Sequence, residues 1–405
     1  MKTFDQIKPM SAWQFAIFRI VFGVYLLIHF LMLMPYSGEL FGARGVIGDA
    51  SLNPTSGLFP TPFACELPDA VCALLIGVLV VAAGRFAGGV WRGWMAVVLW
   101  FGWSALFHRN NLIANPSIPY VGLLLMLCVL IPNGEPLSFG RKDKGWAMPL
   151  WTWRCAWILL AVGYTFSGWT KLSSPSWIDG SAMRYLLENP LARDGWMREV
   201  MLALPDGVLM ALTWMTLLSE LLFLPLAMWS KSRPWIWLML VGMHLGIVAV
   251  VDFADLSLGM LMIHAFTFDP DWLPGRRKGE VLLAYDGDCL MCSGFIRFLA
   301  HEDRNCVLRF TTLQGVRGRA LEKRAGSERL SSLVLEVDGR VLVKSTAVLE
   351  LGVMLGGMWR GIAMVGRLVP ETWRDQLYDA VAYRRKTVKN SCGLPSLEVR
   401  DRMID

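Results

Sequence analysis

Long apolar runs separated by short polar connections fill the first two-thirds of the chain, near residues 11–34, 70–84, 91–107, 117–131, 149–167, 208–229, 234–251 and 255–268. A helix needs about 20 apolar residues to cross the hydrocarbon core of a bilayer, and these runs reach or approach that length. The pattern therefore predicts a polytopic α-helical membrane bundle with about eight transmembrane helices. The first run, "AWQFAIFRIVFGVYLLIHFLMLM", is too long for the apolar region of a cleavable signal and is expected to be the first span. From residue 280 the pattern shortens. "EVLLAYDG" and "CVLRFTTL" read as strands, and "CSGFIRFLAHED" has helical spacing at Phe295, Phe298 and Leu299. "VRGRALEKRAG" reads as a charged helix. "SSLVLEVDGRVLVKS" reads as a hairpin turning on Asp338-Gly339, and "LVPETWRDQLYDAVAYRRKTV" as an amphipathic helix beginning near Pro370. The expected organisation is a membrane domain at 1–270, a basic linker at 271–279 and a C-terminal β-α-β-α-β-β-α domain at 280–405.

Composition sharpens the membrane reading. Only 18% of residues are charged, against roughly 25% in soluble domains. There are 19 Trp, a residue that gathers at bilayer interfaces. The net charge of +6 is concentrated in "GRRKG" and "YRRKTVKN". Basic clusters beside apolar segments fit anionic lipid better than nucleic acid, so no nucleic-acid partner is expected. Arg85, Arg92, Arg141, Lys142, Lys144, Lys231 and Arg233 fall in alternate connections, on the side of the N-terminal Lys2 and Lys8. The positive-inside rule then places both termini in the cytosol, the chain being a multi-pass protein of the inner (cytoplasmic) membrane.

Charged and polar side chains inside apolar runs are expensive in a bilayer and mark candidate sites. Arg19, Glu220 and His244 form such a set. His29 and His264 also fall within or near spans, where an interhelical hydrogen bond explains a histidine equally well, and Arg154 reads as an interfacial anchor. Lys171, just past a span, reads on its own as a lysine reaching for the interface. It stands, however, in "YTFSGWTKLSSPSWIDGSAMRYL", with Tyr164, Gly168, Trp177 and Gly180. With "RNNLIANPSIPYVGLLLMLCVLIPNGEPLSFGRK" and "FRIVFGVYLL", this stretch resembles the HTTM family, the membrane domain shared with vitamin K-dependent γ-glutamyl carboxylases, over roughly residues 8–270. The resemblance implies that Lys171 matches the lysine that acts as base on vitamin K hydroquinone. Such a base must be largely neutral, which takes a desolvated pocket or a nearby cation. The family's histidine falls on Pro116 here, with His108 the nearest alternative, and the sequence shows no counterpart of the large lumenal β-domain. These departures turn the expectation away from protein carboxylation and toward a pocket for a quinone-like, lipid-soluble molecule.

The stretch "AYDGDCLMCSGFIRFL" carries Cys289 and Cys292 in Cys-x-x-Cys spacing between a strand and a helix, the setting of a thioredoxin-like redox motif. At a helix start, Cys289 meets free N–H groups and the positive end of the dipole, which favour a thiolate. Cys292 lies one turn further on, so Cys289 is expected to attack and Cys292 to resolve. The flanking Asp286 and Asp288 oppose the thiolate. Zinc would need two further ligands; Cys306 and Cys392 have no closely spaced partner, and no metal is expected. "YDGDCLMC", with "LQ" at 313–314, "STAVLELGVMLGG" and "RDQLYDAVAYRRKTVKNSCGLP", resembles the DCC family of thiol-disulfide oxidoreductase-like proteins over nearly all of 280–400. That resemblance implies a thioredoxin-like fold with dithiol chemistry at Cys289 and Cys292. No proline lies between Pro274 and Pro370, so the cis-proline that usually faces such a disulfide is missing, and Ser345-Thr346 are expected in its place. Cys392 in "CGLP" matches a position often cysteine in the family. Cys128 and Cys155, expected near the cytosolic ends of spans, are relay candidates, although membrane cysteines usually serve as small apolar packing.

The function expected is an integral membrane thiol-disulfide oxidoreductase. A cellular thiol reductant of the thioredoxin or glutathione type feeds the dithiol, and a quinone-like or lipid-soluble substrate in the membrane domain receives the electrons. A vitamin K-like quinone is the one cofactor suggested. The alternatives are a transporter or membrane binding protein with a redox-sensing domain, and a carboxylase-like enzyme acting on a small molecule.

Overall fold

Ser11 opens the first long helix. Its side chain accepts the Gln14 N–H at 3.2 Å while Gln14 Oε1 accepts the Ser11 N–H at 3.2 Å, a reciprocal cap that satisfies two donors otherwise orphaned at a helix start. In this computed structural model, which describes residues 10–140, 142–143, 145–252, 255–276, 278–287, 289–326, 333–387 and 397–404, the chain divides into two units, Met1–Phe268 and Asp269–Asp405.

The first unit is helical. Its main elements are α1 (Ala12–Leu33), α2 (Asp69–Ala87), α3 (Arg92–Arg109), α4 (Ile118–Leu130), α5 (Leu150–Lys171), α6 (Asp206–Leu221), α7 (Phe223–Met228), α8 (Arg233–Val250) and α9 (Asp255–Thr267). Neighbours in sequence pack in space: α1 on α2, α3 on α4, α5 on α6, and α8 on α9. Gly23 lets α1 and α2 touch, since a Cβ there would stand 2.6 Å from that of Ala87.

The expectation of about eight spans is corrected. Among the described residues, three stretches are long and apolar enough to cross a membrane: Ala12–Phe41, Asp69–Ala87 and Arg233–Val250. A fourth is added only if the pair Trp196–Leu202 and Asp206–Leu221, bent by 104°, counts as one span. Apolar composition alone over-counts for identifiable reasons. The 13-residue α4 and α9 are about 20 Å long at 1.5 Å per residue, well short of a roughly 30 Å core. Arg92 and Arg109 bound α3, and Arg154 and Lys171 lie in α5. The apolar run 208–229 is broken at Leu222 between α6 and α7. Pro225 explains the break, because its ring clashes with the carbonyl four residues back and it has no N–H to donate.

The second unit is built on a four-stranded sheet in the order β2-β1-β3-β4, from β1 (Val281–Tyr285), β2 (Leu308–Thr312), β3 (Val334–Val337) and β4 (Arg340–Val343). β1 runs parallel to β2, crossing through α10 (Leu290–Glu302). β3 and β4 form an antiparallel hairpin, and β3 pairs with β1. Asp338 and Gly339 turn the hairpin with φ of 50° and 79°, the two left-handed positions of a type I′ turn. Strand alternation sorts the core: Val281, Leu283 and Tyr285 face α10 and α12 (Lys344–Leu355), while Ala284 faces α11 (Val316–Arg324) with Leu313 and Leu321. Helices α13 (Gly357–Gly366), α14 (Glu371–Thr387) and α15 (Leu397–Arg400) complete the unit. The segment read as a linker is partly bound to it. Gly357 N–H donates to Leu273 O at 2.6 Å, Arg276 N–H to Met354 O at 2.8 Å, and the Arg276 guanidinium bridges Asp338.

Candidate functional site

The dithiol sits where β1 hands over to α10. Cys289 is the N-cap of α10 in extended conformation, and its sulfur accepts the backbone N–H of Cys292 at 3.4 Å. A sulfur so placed meets a backbone donor and the positive end of the helix dipole together. The preceding loop is clamped from the far end of β2. Gln314 Nε2 donates to Asp286 Oδ1 at 2.9 Å, and Gln314 Oε1 accepts the Gly287 N–H at 3.1 Å. This is the role of the "LQ" pair, whose contribution the sequence reading left open. Asp288 and Cys392 lie outside the described residues.

The two sulfurs are unequally placed. Cys289 is only 5% exposed, whereas Cys292 lines a groove of about 750 Å³ walled by Tyr285, Phe295, Leu349, Trp373, Leu377 and Tyr378. Ser345 and Arg374 add polar groups to the same wall. Arg374 Nη1 donates to Ser345 Oγ at 3.4 Å and to Thr346 Oγ1 at 3.2 Å. Asp375 accepts from Ser345 Oγ, and Glu371 accepts from Thr346 Oγ1 at 3.0 Å. The Ser345-Thr346 pair thus starts α12, its serine on the groove wall with Cys292. Trp373, Arg374 and Tyr378 were not singled out from sequence; the one available signal was the apolar spacing of α14.

Residues 283–390 match the model of the DCC1-like thiol-disulfide oxidoreductase family. Two curated relatives are similar: the uncharacterized protein YuxK of Bacillus subtilis, 34% identical over 128 residues that make up 30% of this chain and 93% of YuxK, and the DCC family protein At1g52590, chloroplastic, of Arabidopsis thaliana, 33% identical over 118 residues, 28% of this chain and 69% of that protein. The chain belongs to the DCC family. No solved structure matches it. The family match covers the DCC unit, so the dithiol, the Gln314 clamp and most of the groove lie on matched residues.

The helical unit gathers a second constellation. Gly168 of α5 lies against the end of α6, where a Cβ would stand 2.5 Å from Leu221 N. This close approach brings Lys171 onto Glu220: the ammonium pairs with the carboxylate, donates to Ser167 Oγ at 2.7 Å, and lies 5.0 Å from the Trp177 ring centre. Base chemistry at Lys171 would require Glu220 to let go of its nitrogen. Two turns back on α5, the Tyr164 hydroxyl lies 2.7 Å from Nε2 of both His244 and His264, and His244 Nδ1 lies 3.0 Å from Ser257 Oγ. His264 Nδ1 is buried with no partner among the described residues. An uncovered lone pair costs less than an uncovered N–H, which assigns a direction: His264 Nε2–H donates to Tyr164, Tyr164 O–H to His244 Nε2, and His244 Nδ1–H to Ser257.

The remaining candidates lie apart from this cluster. Arg19 and Arg92 both pair with Glu135, at 3.4 and 3.0 Å. This buried network ties α1 and α3 to the loop after α4. His108 Nδ1 contacts Thr55 O at 3.3 Å, and its ring stacks on Phe59. Cys128 is buried in α4 and Cys155 half-buried in α5.

Proposed function

We propose that this DCC-family protein is a membrane-integrated thiol-disulfide oxidoreductase with a thioredoxin-like catalytic unit, which reduces a quinone-like, lipid-soluble acceptor at the Cys292 groove. The carrying observation is the apolar groove of about 750 Å³ with Cys292 on its wall. A water-soluble thiol substrate has no use for such a surface, whereas a quinone ring buries most of its area there. The acceptor site is placed on the DCC unit rather than at Lys171, whose ammonium is engaged by Glu220. Apolar helices that can span a bilayer and the HTTM-like motif support membrane insertion, and both termini share the cytosolic side when the bent pair Trp196–Leu202 and Asp206–Leu221 is counted as a fourth span.

The sulfur roles are the reverse of those expected from spacing alone. Cys292 adds to a ring carbon, forming an S–C bond and moving an electron pair onto the quinone oxygen. The Cys289 thiolate, held at the helix start, then attacks the Cys292 sulfur. The S–S bond forms as the S–C bond breaks, and its electron pair leaves with the ring, which takes up two protons as quinol. Two thiols are oxidised and one quinone is reduced. A cytosolic thiol of the glutathione or thioredoxin class then returns the disulfide to the dithiol by exchange. Arg374 on the groove wall is suited to stabilise the negative oxygen that develops.

The test uses the full chain in lipid nanodiscs, pre-reduced and given menadione as probe. The expected result is one quinol per disulfide formed, loss of turnover in both Cys289→Ser and Cys292→Ser, and a trapped thioether on Cys292 in Cys289→Ser, read by mass spectrometry. Menadione reduction that is unchanged in the double serine variant would remove the proposal.

A further inference from the structure

A second cavity, in the helical unit, carries a polar arrangement that neither the dithiol nor the Lys171 cluster uses. Its volume is about 280 Å³, and Leu33, Leu40, Leu106 and Ile113 supply an apolar wall around His29, Trp103, Asn115 and Asp255. Asp255, the first residue of α9, is held by three donors: Tyr25 O–H at 2.9 Å and His29 Nδ1 at 3.2 Å, both on Oδ1, and Asn115 Nδ2 at 3.4 Å on Oδ2. Ser117 Oγ fixes the Asp255 carbonyl at 3.3 Å.

This set fixes a tautomer. A carboxylate can only accept, so His29 donates through Nδ1, and in the neutral imidazole this leaves Nε2 as the acceptor. Nε2 has no partner among the described residues. The imidazole lies beside Trp103, with ring centres 4.7 Å apart and the planes inclined by 42°. With its charge covered by three donors, Asp255 is a poor lure for a cation, and the lone pair of His29 repels an anionic head. What the site lacks is one neutral hydrogen-bond donor attached to an apolar body of one or two rings.

We infer that this cavity binds a small phenolic molecule, its hydroxyl donating to His29 Nε2 and its rings lying against Trp103 and the leucines. Asp255 and Tyr25 act as positioning residues that hold the imidazole. The inference does not rest on the dithiol chemistry and survives if the Cys292 groove takes another substrate.

The experiment compares 1-naphthol with naphthalene, which has nearly the same shape but no donor, on the full chain in lipid nanodiscs with empty nanodiscs as blank. The native protein should bind 1-naphthol about tenfold more tightly than naphthalene, the equivalent of one hydrogen bond. His29→Phe, which keeps a ring at that position but removes the acceptor, should erase the preference. Leu106→Trp, which fills the cavity, should abolish both. Equal affinities in the native protein, or a preference that persists in His29→Phe, would overturn the assignment. The first comparison needs no variant and so does not depend on one folding.

Discussion

The Tyr164 cluster and the Cys289–Cys292 pair use polar atoms in opposite ways. In the helical unit, Tyr164, His244, His264 and Ser257 close on one another, and Lys171 closes on Glu220. Apart from His264 Nδ1, these groups spend their hydrogen bonds on one another, which is how a low-dielectric interior tolerates them. In the DCC unit a sulfur stands on the wall of an apolar groove with room for a ligand. The comparison separates two readings that sequence alone treats alike: an expensive residue that holds helices together, and a reactive residue that faces a guest.

The largest effect should come from cutting the buried chain. Tyr164→Phe leaves Nε2 of both histidines without a partner, at about 1–3 kcal/mol for each uncovered group. We expect thermal unfolding of the helical unit to fall accordingly, with menadione turnover at the dithiol unchanged. A loss of turnover at unchanged stability would move Tyr164 from the structural side of the comparison to the chemical side. Next is Gln314→Leu, which removes both bonds to the loop before Cys289 at a stability cost of about 1–2 kcal/mol. Here the expected signature is kinetic: alkylation of the pair by iodoacetamide should change in rate, because the loop that presents the helix start is no longer held. An unchanged rate would show that α10 alone positions the sulfurs.

The smallest effect concerns acid. The hydrogen-bonded Arg276 guanidinium holds the Asp338 carboxyl below its usual value of 3.8. A depressed carboxyl stabilises the fold at pH above its unfolded value, and that contribution is lost as pH falls through the folded one. Asp338→Asn should therefore lose stability slightly near pH 7 and match the native protein at pH 2, measured by urea unfolding. The pair is solvent-exposed, so the difference at neutral pH should be small.

Much of the DCC unit was legible because its signals are local. The alternation of Val281, Leu283 and Tyr285, the Asp338-Gly339 turn and the strand-to-helix position of Cys289 each depend on a few adjacent residues. The groove was not legible, since Tyr285, Phe295 and Trp373 meet only after the sheet and helices assemble. The helical unit misled in the other direction. Its apolar composition suggested eight spans, whereas Pro225 breaks one run and α4 and α9 are too short. The partnership of Lys171 with Glu220 spans 49 positions, and no sequence periodicity links them. Gly168, visible only as part of a family-like motif, brings them together.

The rim of the groove has a practical consequence. Trp373 is 67% exposed and Leu377 68%, with Val381 bare on the same helix. In plain buffer such a face adheres to whatever greasy material it meets, including other copies of itself. Purified without detergent or lipid, the protein should scatter light and clump, and a mild amphiphile that coats this rim should disperse it.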